Sequence, residues 1–176
     1  MTAPLPSPTL RRATPDDAVL LAELGRRTFQ DTFAASNTPE DMAAYLAASF
    51  GPEKQRAELL RPDTTFLIAE IEGQPAGYSQ MRVEPDPDGG THLELVRIYS
   101  TREWLGRGVG PALMQAFVDA GQAGGHRKLL LAVWEHNPRA IAFYRKWGFE
   151  ANGEVEFVLG SDTQTDLVME RRLDVP

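Results

Sequence analysis

The residues best suited by type and spacing to chemistry are three glycines at alternate positions in Leu105-Gly106-Arg107-Gly108-Val109-Gly110-Pro111. A turn of this composition aims successive backbone N–H groups at one point, and a helix starting at once adds partial positive charge there. Glycine lets the backbone approach an anion with no Cβ in the way. Pro111 suits the first helical turn, where a missing N–H costs little. The chemistry implied is the holding of a pyrophosphate-like group, with a purely structural tight turn as the alternative. The pattern is neither the GxxxxGK[ST] phosphate loop nor the GxGxxG of dinucleotide folds.

The elements around this turn follow from the spacing of apolar residues. Leu10–Ala13 reads as a short strand, and Asp16 or Asp17 as the cap of a helix carrying Leu20, Leu21, Leu24 and Phe29. Asn37-Thr38-Pro39-Glu40-Asp41 has the polar cap, early proline and first-turn acids of a second helix start, and a third short helix is expected near Glu53–Leu60. Thr65–Ile71 and Gln74–Val83 form a hairpin about Glu72-Gly73, and Thr91–Tyr99 is the strand that enters the glycine turn. A helix over about Gly108–Ala120, a buried-type strand Lys128–Val133, a helix Pro138–Trp147 stopped by Gly148, and strands Val155–Leu159 and Asp166–Glu170 complete the chain. The order is that of an α/β domain, a mixed sheet with helices on both faces.

At 176 residues, 42% hydrophobic and 24% charged, the sequence specifies one globular domain over residues 10–172, with short tails at 1–9 and 173–176. No apolar stretch approaches the roughly 20 residues of a membrane helix, and Met1–Pro8 lacks the pattern of a secretion signal, so a cytoplasmic setting is expected. The absence of cysteine excludes disulfides, cysteine-ligated zinc and an acyl-cysteine intermediate. His92, His126 and His136 form no HExxH arrangement, so no metal is expected. The net charge of −7 argues against nucleic acid as a partner. From Asp16 to Glu94 there are 15 acidic against 6 basic residues, either a solvated surface or an attraction for a cationic substrate.

Two motifs together carry a family resemblance. Leu105–Gly110 matches the [QR]xxGx[GA] pattern of the GNAT superfamily of acetyl-CoA-dependent N-acetyltransferases, except that Leu105 stands where the family has Gln or Arg. Asn137, Ala140, Tyr144, Gly148 and Phe149 match its N-x-x-A-x-x-x-Y-x-x-x-G-F pattern at every fixed position. Trp134–Phe149, Gln164–Leu167, Thr28-Phe29 and Asn37–Met42 look like the bacterial spermidine/spermine acetyltransferase branch. The resemblance implies the GNAT fold, a mixed, mostly antiparallel seven-stranded sheet flanked by helices and splayed between Thr91–Tyr99 and Lys128–Val133, with acetyl-CoA in the cleft. It further implies direct, sequential acetylation of a small amine, a polyamine first. The alternatives are another acceptor (an amino acid, an aminoglycoside or a peptide amine) or a non-catalytic acyl-CoA sensor. A homodimer stays open.

Residue roles follow from the same resemblance. Ile98, Tyr99 and Ser100 would offer backbone hydrogen bonds to the pantetheine arm and the thioester, and Leu105, Gly106, Arg107, Gly108, Val109 and Gly110 would hold the pyrophosphate. Asn137 would cap its helix and bond the same arm. Tyr144 is the candidate general acid at the coenzyme sulfur, with packing as its alternative role. Glu94 and Glu135 compete as general base, and Ala132 replaces the glutamate of a ribosomal-protein branch. By charge alone, Arg107, Arg139, Arg145 and Lys146 are candidate phosphate contacts, with solvated surface charges as the alternative. Phe29, Phe33 and Asn37 are expected either in the acceptor wall or as helix core and cap, and Asp31, Glu40, Asp41 and Glu94 are the acids nearest it.

Overall fold

The computed structural model describes residues 6–174. The chain runs β1 (Thr9–Arg12), α1 (Ala18–Phe33), α2 (Pro39–Ser49), α3 (Pro52–Leu59), β2 (Thr64–Ile71), β3 (Gln74–Pro85), β4 (Thr91–Ser100), α4 (Val109–Ala123), β5 (Lys128–Trp134), α5 (Pro138–Lys146), β6 (Glu150–Leu159) and β7 (Asp162–Arg172). This is the expected succession. The tails are corrected at both ends: Thr9 is already in β1, and Leu173 is buried in the core with its N–H on the Arg127 carbonyl. Residues 1–5 and 175–176 lie outside the described residues. No helix among the described residues is long and apolar enough to cross a membrane.

Local chemistry explains the element boundaries. The Thr38 hydroxyl accepts from the Asp41 N–H and caps α2, with Pro39 at its first position. Asp17 does not cap α1 with its side chain. Its carboxylate binds Arg11 at 2.8 and 2.9 Å and the Thr14 N–H at 2.8 Å, closing a 3-10 turn ahead of the helix. Gly148, at φ +83°, ends α5.

The seven strands are ordered β1-β2-β3-β4-β5-β7-β6, antiparallel except for β4 beside β5. Met114 and Phe117 of α4 and Ile141 and Tyr144 of α5 pack on Leu93, Leu95, Leu129 and Leu131 of one sheet face. Leu21, Leu24 and Phe29 of α1 and Met42 and Leu46 of α2 belong to the clusters on the other face, with Phe66, Ile68 and Tyr78.

The parallel pairing is short. Only Leu93, Glu94 and Leu95 pair, with Leu129, Leu130 and Leu131. At the next residue β4 bulges: Leu95 lies opposite Met81 and Arg97 opposite Gln80, leaving Val96 extra. A bulge bends its strand and sharpens the local twist, so β4 turns away from β5 and opens a cleft within the sheet. Gly77 on β3 brackets the far end of β4. A Cβ there would lie 2.7 Å from Val109 Cγ1 and closer still to the Tyr99 carbonyl. Gly77→Ala is therefore expected to destabilise the fold by about 1–3 kcal/mol through overpacking. Thermal and urea melts check this, and unchanged midpoints would mean that α4 is free to shift.

Candidate active site

The glycine turn is built from two left-handed residues and one helical one. Gly106 and Gly108 have φ of +74° and +83°, and Gly108 occupies the N-cap position of α4. Gly110 is already inside the helix, where a Cβ would make only ordinary contact with Phe143 at 3.7 Å. Pro111 accordingly stands at the third helical position rather than the first, still among the donors a helix leaves unpaired. The Leu105 and Arg107 N–H groups close the preceding turn onto the Arg102 and Trp104 carbonyls. Those of Gly106, Gly108, Val109 and Gly110 have no protein acceptor among the described residues. Four unpaired donors beside the positive end of a 15-residue helix fit an anion such as a coenzyme pyrophosphate. Leu105 is exposed, as are Arg107, Arg139, Arg145 and Lys146.

The cleft leads from this turn into the sheet. Ile98, Tyr99 and Ser100 pair with Ser79, Tyr78 and Gly77 on their β3 side, whereas their β5 side has no strand partner. An unpaired strand edge presents the alternating donors and acceptors that an extended amide-bearing chain requires. Tyr144 of α5 is buried in the core behind the splayed strands, its ring meeting Phe143 and Phe149 edge-on. Burial raises its phenol above the ordinary tyrosine range, so it keeps its proton. Burial likewise raises the Tyr99 phenol, whose ring lies 5.9 Å from that of Tyr78. The Asn137 side chain accepts from the Ala140 N–H at 3.2 Å, which caps α5.

On the other sheet face the cleft meets an aromatic wall. Phe33 is half-buried and meets Trp134 edge-on at 6.2 Å, and Tyr45 contacts both Phe29 (4.5 Å) and Phe157 (5.4 Å). Phe29 itself, 3% exposed, is core and backs the wall rather than facing the cleft. Asn37 ties the wall together, donating to the Phe33 carbonyl and accepting from Gln164. Glu94 is half-buried on β4, without an ion-pair partner among the described residues. Glu135 is exposed in the loop after β5, its carboxylate 3.5 Å from His136, so the two candidate bases occupy unlike settings. Asp31 pairs with Arg102, and Asp41 accepts from the Ser161 N–H and hydroxyl, so neither is an uncommitted charge.

Sequence reasoning missed two charged residues here. Arg97 lies over the Phe50 ring at 4.8 Å and pairs with Glu58 at 3.2 Å. A single basic residue in the strand that enters the glycine turn was its only signal. Asp166 is half-buried in β7 opposite Trp134, and its carboxyl is raised by burial to about 6. Strand alternation places it on the polar face, but the wall that partly covers it comes from distant helices.

The comparisons agree with this geometry. The model of the acetyltransferase (GNAT) family matches residues 26–149. The chain belongs to that family. An uncharacterised N-acetyltransferase of Lactobacillus delbrueckii subsp. lactis is 36% identical, covering 85% of this chain and 88% of the relative. The aminoglycoside N(6')-acetyltransferase type 1 of Stenotrophomonas maltophilia is 28% identical over 86% and 92% of the two chains. The spermine/spermidine N(1)-acetyltransferase of Bacillus subtilis is 26% identical over 49% of this chain and 59% of its own. The PaiA N-acetyltransferase of Thermoplasma acidophilum, solved with coenzyme A, superposes with a TM-score of 0.80 at 22% identity, covering 95% and 99%. The protein is thus a GNAT N-acetyltransferase whose co-substrate is acetyl-CoA.

Gly108→Val forces a branched side chain into a left-handed residue and is expected to weaken coenzyme A binding more than tenfold, or about 1.4 kcal/mol. Gly110→Ala adds a Cβ without straining the backbone, so any loss of affinity there reports obstruction of the anion itself. Leu105→Gln is expected to be tolerated. Calorimetry on folded variants checks all three, and unchanged affinity in both glycine variants would remove the pyrophosphate from this turn.

Proposed function

We propose that this GNAT enzyme acetylates a primary amine of a small polycation, a polyamine such as spermidine or spermine. The observation that carries the reading is the charge of the acceptor face. Glu94 and Asp166 stand there without partners among the described residues, whereas Arg97 is matched by Glu58 and Arg82 lies 3.6 Å from Glu84. A surface of aromatic rings and uncommitted carboxylates favours ammonium groups and repels carboxylates. The likeness to the spermine/spermidine enzyme supports the polyamine, though over half the chain. The longer match to the aminoglycoside enzyme favours a second reading, an aminoglycoside acceptor, which is also a polycation.

Bound at the turn and the β4 edge, acetyl-CoA supplies the acetyl thioester. An alkylamine, with a pKa near the lysine value of ~10.4, must lose a proton before it attacks. Glu94, half-buried at the head of the cleft, takes that proton directly or through water, and the exposed Glu135 is the weaker candidate. Backbone N–H groups on the free edge at Ile98–Ser100 stabilise developing charge on the thioester oxygen. Tyr144, held protonated by burial, donates at the sulfur as the C–N bond forms and the C–S bond breaks. The acylated nitrogen sheds its second proton to water as the amide forms, after which Glu94 releases its proton to solvent and Tyr144 regains one from it.

Tyr144→Phe is expected to lower kcat by roughly 10²–10⁴ with little change in coenzyme affinity. Wild-type single-turnover rates in that variant would reduce Tyr144 to packing. A polyamine engages several charges screened over about 8–10 Å, so its kcat/KM is expected to fall with salt more steeply than that of a monoamine. Steady-state kinetics with spermidine, spermine, an aminoglycoside and a monoamine test this. Equal slopes, or no turnover of either polyamine, would assign the enzyme another acceptor.

A further inference from the structure

Asp166 is a half-buried carboxylate that the chain leaves without a mate. Among the described residues no hydrogen bond or ion pair reaches it, and burial alone raises its carboxyl, to about 6. Its position is fixed by strand register. It lies directly opposite Trp134 of β5 and Val155 of β6, so all three side chains share one sheet face. Two residues away on β7, Gln164 shares that face and bonds Asn37 at 2.7 Å, which identifies it as the face covered by α1 and α2. Around Asp166 stand Trp134 with Phe33 against it, and Tyr45, whose phenol is raised chiefly by burial and in small part by the Asp166 charge.

The distance from the cleft decides what such a group is for. The cleft opens along the β4 side of β5, whereas Asp166 sits on β7, one strand spacing of about 4.8 Å beyond β5 on its other side. A nitrogen held at Asp166 is therefore not the nitrogen that reacts in the cleft. We infer that Asp166 and the Trp134 ring form a subsite for a second, non-reacting ammonium of the acceptor, so that the site selects diamines and polyamines with two nitrogens separated by a short alkyl chain. This rests on the proposed acetylation of a polycation and adds which nitrogen is gripped and by what. An ammonium there gains a charge-assisted hydrogen bond and the ring face in a partly dry setting. Removing the carboxylate charge leaves the reacting end untouched.

The pH dependence has a defined sign. Diamine binding needs the ionised carboxylate, so affinity strengthens as pH rises through about 6 and is lost below it. The ionisable groups around Asp166 are Tyr45 from α2, Asp162 and Glu170 farther along its face of β7, the Arg97–Glu58 pair beneath α2 and α3, and His136, whose ring meets Trp134, with Tyr99 and Glu94 farther off on β4. Phe33 and Asn37, from the α1–α2 side, carry no charge.

The experiment has a binding arm and a kinetic arm. Carboxyl-carbon NMR follows the Asp166 titration in the intact protein alone, with 1,4-diaminobutane and with 1-aminobutane, using His136→Gln as a control for the neighbouring ring. The diamine is expected to lower the Asp166 midpoint by about one unit or more and the monoamine to leave it in place. Asp166→Asn is expected to cut kcat/KM for the diamine at least tenfold through KM, to spare the monoamine and acetyl-CoA, and to abolish the limb near pH 6, with Asp166→Glu restoring part of the loss. An unmoved midpoint, or equal losses for both amines in Asp166→Asn, overturns the subsite. If the midpoint moves but the wild-type enzyme acetylates no diamine, the subsite stands and the polyamine acetylation reading fails.

Discussion

Everything in this site depends on two neighbouring strands that stop pairing. β4 and β5 share three residue pairs, and at the extra residue Val96 β4 shifts by one against β3, with which it stays paired, and parts from β5. Had the parallel ladder continued, the backbone groups of residues 96–100 and 132–134 would satisfy each other and nothing could enter the sheet. Divergence leaves those groups unpaired inside a folded domain, a state that is costly unless water or a ligand completes it. The cleft is thus a stretch of sheet with one strand missing, and on the proposed reading the pantetheine arm supplies it.

The remaining structure holds that opening in shape. On one face α4 and α5 fill the space behind the splay with Met114, Phe117, Ile141 and Tyr144, so the phenol is delivered by the same packing that supports the strands. Gly77 lets Val109 and β4 approach β3 closely, which fixes the start of α4 and hence the four free N–H groups. On the other face the Arg97–Glu58 pair and the Phe50 ring lock the strand just past the bulge to α3. A buried pair of this kind does more for position than for stability.

Much of this was legible in the sequence, for physical reasons. The glycine turn and the Asn137–Phe149 helix are local motifs, in which cap, turn and function lie within a few consecutive residues. The hairpin at Glu72-Gly73 is likewise local, and both residues have positive φ. The acceptor side was less legible because it is assembled at long range: Phe33, Tyr45, Trp134 and Asp166 come from four elements. Phe29 shows the limit of reading one helix at a time, since its burial depends on Tyr45 and Phe50 from the next helix and its C-cap. Pro111 shows that a correct motif does not fix its register to the residue.

The central claim is that the unpaired groups of the turn and of the β4 edge form one continuous binding track for acetyl-CoA. Amide hydrogen exchange, followed residue by residue with and without coenzyme A, tests it directly. New protection is expected at Gly106, Gly108, Val109 and Gly110 together with amides within Val96–Ser100, while β1, β2 and β6 stay unchanged. Protection confined to other surfaces, or at the turn without the β4 edge, would contradict the claim.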